Sequence, residues 1–125
     1  MLRKYSEMKR KIFENKWGGD GTQEVIHILN QDEMHGKARL FADNFLPPGA
    51  SVGMHPHNGD MEAYFFLEGK GLYTSDGEEY EVQAGDVTVV DDHHEHGIKN
   101  IGDTPLRFIA LILYTNEEGA PQEKK

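Results

Sequence analysis

Residues 49–69 read GASVGMHPHNGDMEAYFFLEG, with His55, His57 and Glu62 set between two glycines. In an extended segment, side chains two apart point the same way, so the imidazoles of His55 and His57 converge on one point. Asn58-Gly59-Asp60 is a turn signal that brings the next strand back beside the first, carrying Glu62 toward that point. His96 lies farther along the chain, near the start of another extended segment. Neutral imidazoles plus one carboxylate suit a divalent transition metal: Mn, Fe, Co, Ni, Cu or Zn. Four protein ligands leave positions open on an ion that prefers six, where water or a bidentate anion can bind.

From this stretch outward the chain reads as short strands. The candidates are 23–29, 37–46, 61–68, 70–75, 78–83, 86–91, 95–101 and 105–115. Pro47-Pro48-Gly49, Asn58-Gly59, Asp76-Gly77, Ala84-Gly85 and Gly102-Asp103 punctuate them, a spacing typical of an all-β sandwich or barrel. Asp76-Gly77 is a two-residue hairpin signal. Gly49, Gly69 and Gly85 are expected at turns that need positive φ. No long helical period, internal repeat or low-complexity linker is present. The expected organisation is an N-terminal arm over 1–21, a β-barrel over 22–115 and a polar tail over 116–125. Within the arm, residues 2–16 fit helix or irregular strand.

The motif resembles that of the cupins, the RmlC-like superfamily, and among them the short cupin-2 type. Their first motif is Gly, five residues, His-x-His, three or four residues, Glu, six residues, Gly, and every fixed position is matched by Gly49, His55, His57, Glu62 and Gly69. Of their second motif, Gly85, His96 and Asn100 match, while Asp91 and His93 stand where the family has Pro and Gly. The resemblance covers about residues 37–115. It implies a double-stranded β-helix, a jelly-roll barrel, with His55, His57, Glu62 and His96 on the family's metal-ligand positions. His94, in the run Asp91-Asp92-His93-His94-Glu95-His96, is the candidate extra ligand, while a solvated turn is the simpler reading of that run.

Period two places Tyr64 and Phe66 on the face of Glu62, inside the barrel near the metal. Arg39, with Lys37 and Arg107, is a candidate for pairing with an anionic substrate. His27 and His35 read as structural or exposed, although His27 reaches the barrel mouth if 23–29 forms a lid strand. Ala63–Leu67 and Phe108–Leu113 are apolar on both faces, so something covers their outer side. A second copy of the chain is the expected cover, which predicts a homodimer.

The 125 residues carry a net charge of −9 and no cysteine. Residues 1–16 are nonetheless basic, with a net charge of +4, leaving −13 for the remainder. Overall acidity argues against a nucleic-acid partner, and the basic arm is expected to embrace a dimer or face solvent. Absence of cysteine excludes disulfides, thiolate metal sites and a cysteine nucleophile. No secretory signal or membrane-length apolar run is visible, so the expected location is the cytoplasm. The expected function is that of a metal-dependent enzyme acting on a small polar or anionic molecule, of oxygenase or isomerase type. The alternative is a non-catalytic module that holds a sugar or organic acid with the help of the metal. No residue is singled out as catalytic.

Overall fold

The computed structural model describes residues 1–116, 118 and 119. Most of the expected polar tail therefore lies outside the described residues. Among the described residues ten strands run: β1 Arg10–Glu14, β2 Thr22–Leu29, β3 Ala38–Leu46, β4 Ser51–Pro56, β5 Asp60–Glu68, β6 Lys70–Ser75, β7 Glu78–Gln83, β8 Val87–Val90, β9 Glu95–Asn100 and β10 Leu106–Tyr114. They form two antiparallel sheets, ordered β1-β2-β3-β10-β5-β8 and β4-β9-β6-β7. The all-β barrel expected from the sequence is what forms.

Alternation builds the core. Along β10, Leu106, Phe108, Ala110 and Ile112 are buried, and along β5 so are Asp60, Glu62, Tyr64 and Phe66. Leu46, Val52, Val82 and Ile98 close the core from β3, β4, β7 and β9. Asn100 ties the sheets together: its side-chain amide donates to the carbonyls of Leu46 and Thr104, at 2.9 and 2.8 Å. The second-motif asparagine is thus a strut rather than a site residue.

Turn chemistry follows the sequence. Asp76 and Gly77 both have positive φ, as a primed two-residue hairpin requires, and β6 pairs β7 in register from Ser75↔Glu78. His93, where the family has glycine, sits at φ 67, a conformation histidine tolerates better than most residues. Gly69 has φ +87, and a Cβ there would lie 2.6 Å from the Pro105 carbonyl.

Two strands go beyond the sequence candidates: β4, of which only His55–His57 reads as extended in the sequence, and β1, inside the stretch 2–16 that fits helix or irregular strand. β4 contains Gly53 and ends on Pro56, both of which weaken strand propensity, yet it carries His55. β1 is mostly charged and lies at the sheet edge, so it shows no apolar alternation. The arm thus extends the six-stranded sheet sideways. It does not cover the outer faces of β5 and β10, where Phe65 and Leu113 remain exposed.

After β1, residues 15–19 fold across β4 at very short range. A Cβ on Gly53 would collide with the Trp17 carbonyl oxygen, and one on Gly19 with the Ser51 carbonyl oxygen. Only hydrogen at both positions permits this approach. Replacing Gly53 with alanine is expected to lift the Trp17 turn off β4 at a cost of about 1–3 kcal/mol, the usual range for overpacking. Thermal unfolding reads the loss, and the fluorescence of Trp17, the only tryptophan, reads the displacement.

Candidate metal centre

His55 and His96 are direct cross-strand partners between β4 and β9. The ladder continues past β4, with the His57 amide donating to the His94 carbonyl and the His93 amide to the His57 carbonyl. His57 is thereby held on the same face as His55. The turn at Asn58-Gly59-Asp60 does not lay β5 beside β4 as expected but crosses to the opposite sheet, so Glu62 faces the histidines and the four side chains meet between the sheets. One ligand atom from each lies within 4.8 Å of all the others, and all four residues are buried.

The outer nitrogen of each ring is already occupied. His57 Nδ1–H donates to Asp60 Oδ1 at 2.7 Å, and His55 Nδ1–H donates to the Gly53 carbonyl at 2.8 Å. Both partners are acceptors only, so both rings carry their hydrogen on Nδ1 and leave Nε2 as a lone-pair donor. His96 Nδ1 lies 2.9 Å from the Tyr73 hydroxyl, which can accept from it in the same way. The Nε2 atoms of His57 and His96 are 3.1 Å apart, and they stand 3.2 and 3.0 Å from Glu62 Oε1. His55 Nε2 is 3.9 Å from the same oxygen. Three imidazole lone pairs and one carboxylate converging at this spacing fit one divalent transition-metal ion.

The electrostatics match. Burial pushes the Glu62 carboxyl up, but the His55, His57 and His96 rings packed around it outweigh burial and hold the group ionised, well below its usual range. Burial also pushes His57 down, yet Glu62 and Asp60 together raise it above an ordinary imidazole. His96 is lowered by burial, which favours the neutral ligand form. Burial raises Tyr73 to about 12, and it raises Tyr64, which also faces the Glu62 charge, well above its usual value.

A cavity of about 360 Å³ opens onto this cluster. Tyr64 lines it and stacks on His96 with ring centroids 5.0 Å apart. Phe66 is buried deeper, against Phe108, and does not line it. Arg39 reaches the cavity wall but is engaged with Asp60, at 2.8–3.0 Å. His27 also lines the cavity, but from β2, which is paired on both sides within the six-stranded sheet rather than laid over the barrel as a lid. Arg107 is elsewhere, paired with Asp43 and Glu68. His94 is not brought to the cluster: its side chain is exposed and Nδ1 lies 2.6 Å from Asp76 Oδ2. The histidine-rich run is a surface turn in which only His96 faces inward.

Sequence reasoning missed four residues around the site. Asp60 orients His57, and its signal was its place two residues before Glu62 on the same face. Tyr73 backs His96 from β6. Lys16 and Trp17 come from the arm, and Trp17 stacks on His55 at 5.4 Å with its ring plane 15° away. No periodicity pointed to them, because they sit in an irregular turn.

Comparison with known proteins agrees with this architecture. The family model described as the Cupin domain matches residues 45–112. An oxalate-binding protein of Thermotoga maritima is 42% identical over 113 residues, covering 90% of this chain and 93% of the relative. The crystal structure of a predicted oxalate decarboxylase from Thermotoga maritima superposes with a TM-score of 0.87 at 42% identity, covering 91% of this chain and 99% of the other. An oxalate decarboxylase of Bacillus subtilis is 36% identical over 70 residues, 52% of this chain but 18% of the enzyme. Barrel, motif, inward-facing histidines and these matches lead to one conclusion: the chain belongs to the cupin family.

Proposed function

We propose that this cupin binds one divalent transition-metal ion through His55, His57, Glu62 and His96, and on it a small carboxylate anion of the oxalate class. The observation that supports the reading best is the convergence of the ring nitrogens on Glu62 with the Nδ1 atoms already engaged. When bound, the ion supplies a Lewis-acidic point for carboxylate oxygens. The chain does the rest. Asp60, itself held by Arg39, fixes the His57 ring, and Tyr73 fixes His96. Val25, Leu40, Val52 and Ile112 give the cavity apolar walls that limit water.

Glu62 is the only carboxylate lining this cavity among the described residues, and as a ligand it is not free to act as a base. Tyr64 keeps its proton, with its pKa raised well above 10. Binding without turnover is therefore the first reading, in line with the relative named for oxalate binding. Turnover is the second reading, supported by the structure described as a predicted oxalate decarboxylase and by the partial match to an oxalate decarboxylase. Decarboxylation joins oxygenation and isomerisation as the reactions to screen. We also propose a homodimer through the outer sheet face, where Phe65, Val87, Val89 and Leu113 are exposed on β5, β8 and β10. No helix among the described residues is long and apolar enough to cross a membrane.

Protein purified without added metal is expected to contain about one transition-metal ion per chain by elemental analysis, and His96→Ala to lose it. A folded wild type devoid of metal that also fails to take up Mn, Fe, Co, Ni, Cu or Zn overturns the reading. Chelation is expected to lower the melting temperature, since an ion at a hundred times its Kd adds about 2.7 kcal/mol. Calorimetric titration of the loaded protein with oxalate tests the anion.

The pH dependence has a definite sign. Binding needs neutral imidazoles, and His57 holds its proton to a higher pH than an ordinary histidine. Metal affinity is expected to rise with pH through the neutral range and to fall on acidification. Asp60→Asn removes one of the two groups that raise His57, which is expected to move the midpoint to lower pH; equilibrium dialysis at a series of pH values reads both. Sedimentation is expected to show a dimer for wild type, and Phe65→Lys to shift it toward monomer.

A further inference from the structure

The N-terminal arm brings a cation to the cavity that no described carboxylate neutralises. Lys16 lines the same cavity as His55, His57 and Glu62. It takes part in no ion pair among the described residues, whereas Arg39, the other cation in the wall, is spent on Asp60. The Lys16 ammonium instead rests 3.8 Å from the centroid of the Phe13 ring, which it shares with Lys11 at 4.8 Å. Burial, Lys11 and Arg39 all lower the Lys16 pKa, as expected of a charge short of an anion.

The placement is held firmly. Asn15 and Trp17, on either side of Lys16, both adopt left-handed backbone, at φ 50 and 54. Such conformations are costly for residues other than glycine and persist where the surroundings enforce them. Here the enforcement is visible: the Trp17 ring stacks on His55, and its carbonyl packs on Gly53. The turn that presents Lys16 is thus locked onto a residue of the metal cluster.

The charges then specify the ligand. Arg39 is neutralised by Asp60, and Glu62 offsets one charge of a divalent ion. With a divalent ion on the four ligands, that ion, Glu62 and the lining residue Lys16 would give the cavity two net positive charges. We propose that Lys16 is a specificity-determining residue: it binds the second carboxylate of a ligand whose first carboxylate is on the metal, so that the site selects small dicarboxylates over monocarboxylates. This rests on the metal-and-anion reading above and adds to it the arm residue that sets selectivity.

The test uses the full-length chain loaded with Mn2+, its metal content verified by elemental analysis, and calorimetric titration with oxalate, malonate, acetate and formate. Wild type is expected to bind oxalate or malonate at least about tenfold more tightly than acetate or formate, since one charge-assisted hydrogen bond separates them. Lys16→Gln is expected to lose about that factor for the dicarboxylates alone, and Lys16→Arg to restore it. Equal weakening for both ligand classes, or no weakening, overturns the role of Lys16 while leaving the metal-and-anion reading intact. If loaded wild type binds none of the four anions, that reading falls, and the role of Lys16 falls with it. Wild type that binds monocarboxylates as tightly as dicarboxylates overturns the role of Lys16 and leaves the metal-and-anion reading intact. Circular dichroism of both variants guards against a folding defect.

Discussion

An ionised carboxylate sits inside an apolar barrel, and the rest of the structure is arranged around that fact. Burying an uncompensated charge costs several kcal/mol, so Glu62 is admissible only with partners in reach. Its partners are three imidazoles from the facing sheet and the segment just beyond it, and the fold's register delivers them: His55 opposite His96 across the β4–β9 ladder, His57 one pleat past the end of β4. The cluster therefore acts as a pin between the sheets. A divalent ion held by the same four residues would answer that demand more fully, because it would set two positive charges against the carboxylate.

Around the pin lies a second layer that differs in character on each side. Asp60 and Arg39 form a charged buttress behind His57, Tyr73 a neutral hydroxyl behind His96, and the Gly53 carbonyl a backbone contact behind His55. These partners keep the rings from rotating and hold their lone pairs inward. The arm adds a third element, Trp17 laid flat on His55. The N-terminal segment, which adds an edge strand to the barrel, is thus also part of the cavity wall.

The barrel and its four convergent residues were legible in the sequence because each left a local mark. Period-two spacing put His55 with His57 and Glu62 with Tyr64, and Gly-containing turns marked the strand ends. His94 was the residue that spacing could not place. Whether it or His96 faces inward depends on the turn at His93, and that turn resolves it by adopting a left-handed conformation. β4 was hidden by Gly53 and Pro56, although Gly53 is there because Trp17 crosses it. Lys16 and Trp17 were invisible for a related reason: they reach the site through a close backbone approach between segments more than thirty residues apart, which no short window contains.

The position of β10 carries a consequence for how the molecule is made. It is the last of the described strands, yet it occupies a place between β3 and β5 in the six-stranded sheet. During synthesis the earlier strands emerge with a gap where β10 belongs, and β5, which bears Glu62, has only the short β8 beside it until then. Non-local pairings of this kind are slow to form and leave strand edges open in the meantime. Completion of the barrel, and with it the full enclosure of the Glu62 cluster, therefore waits for Leu106–Tyr114 to leave the ribosome and insert.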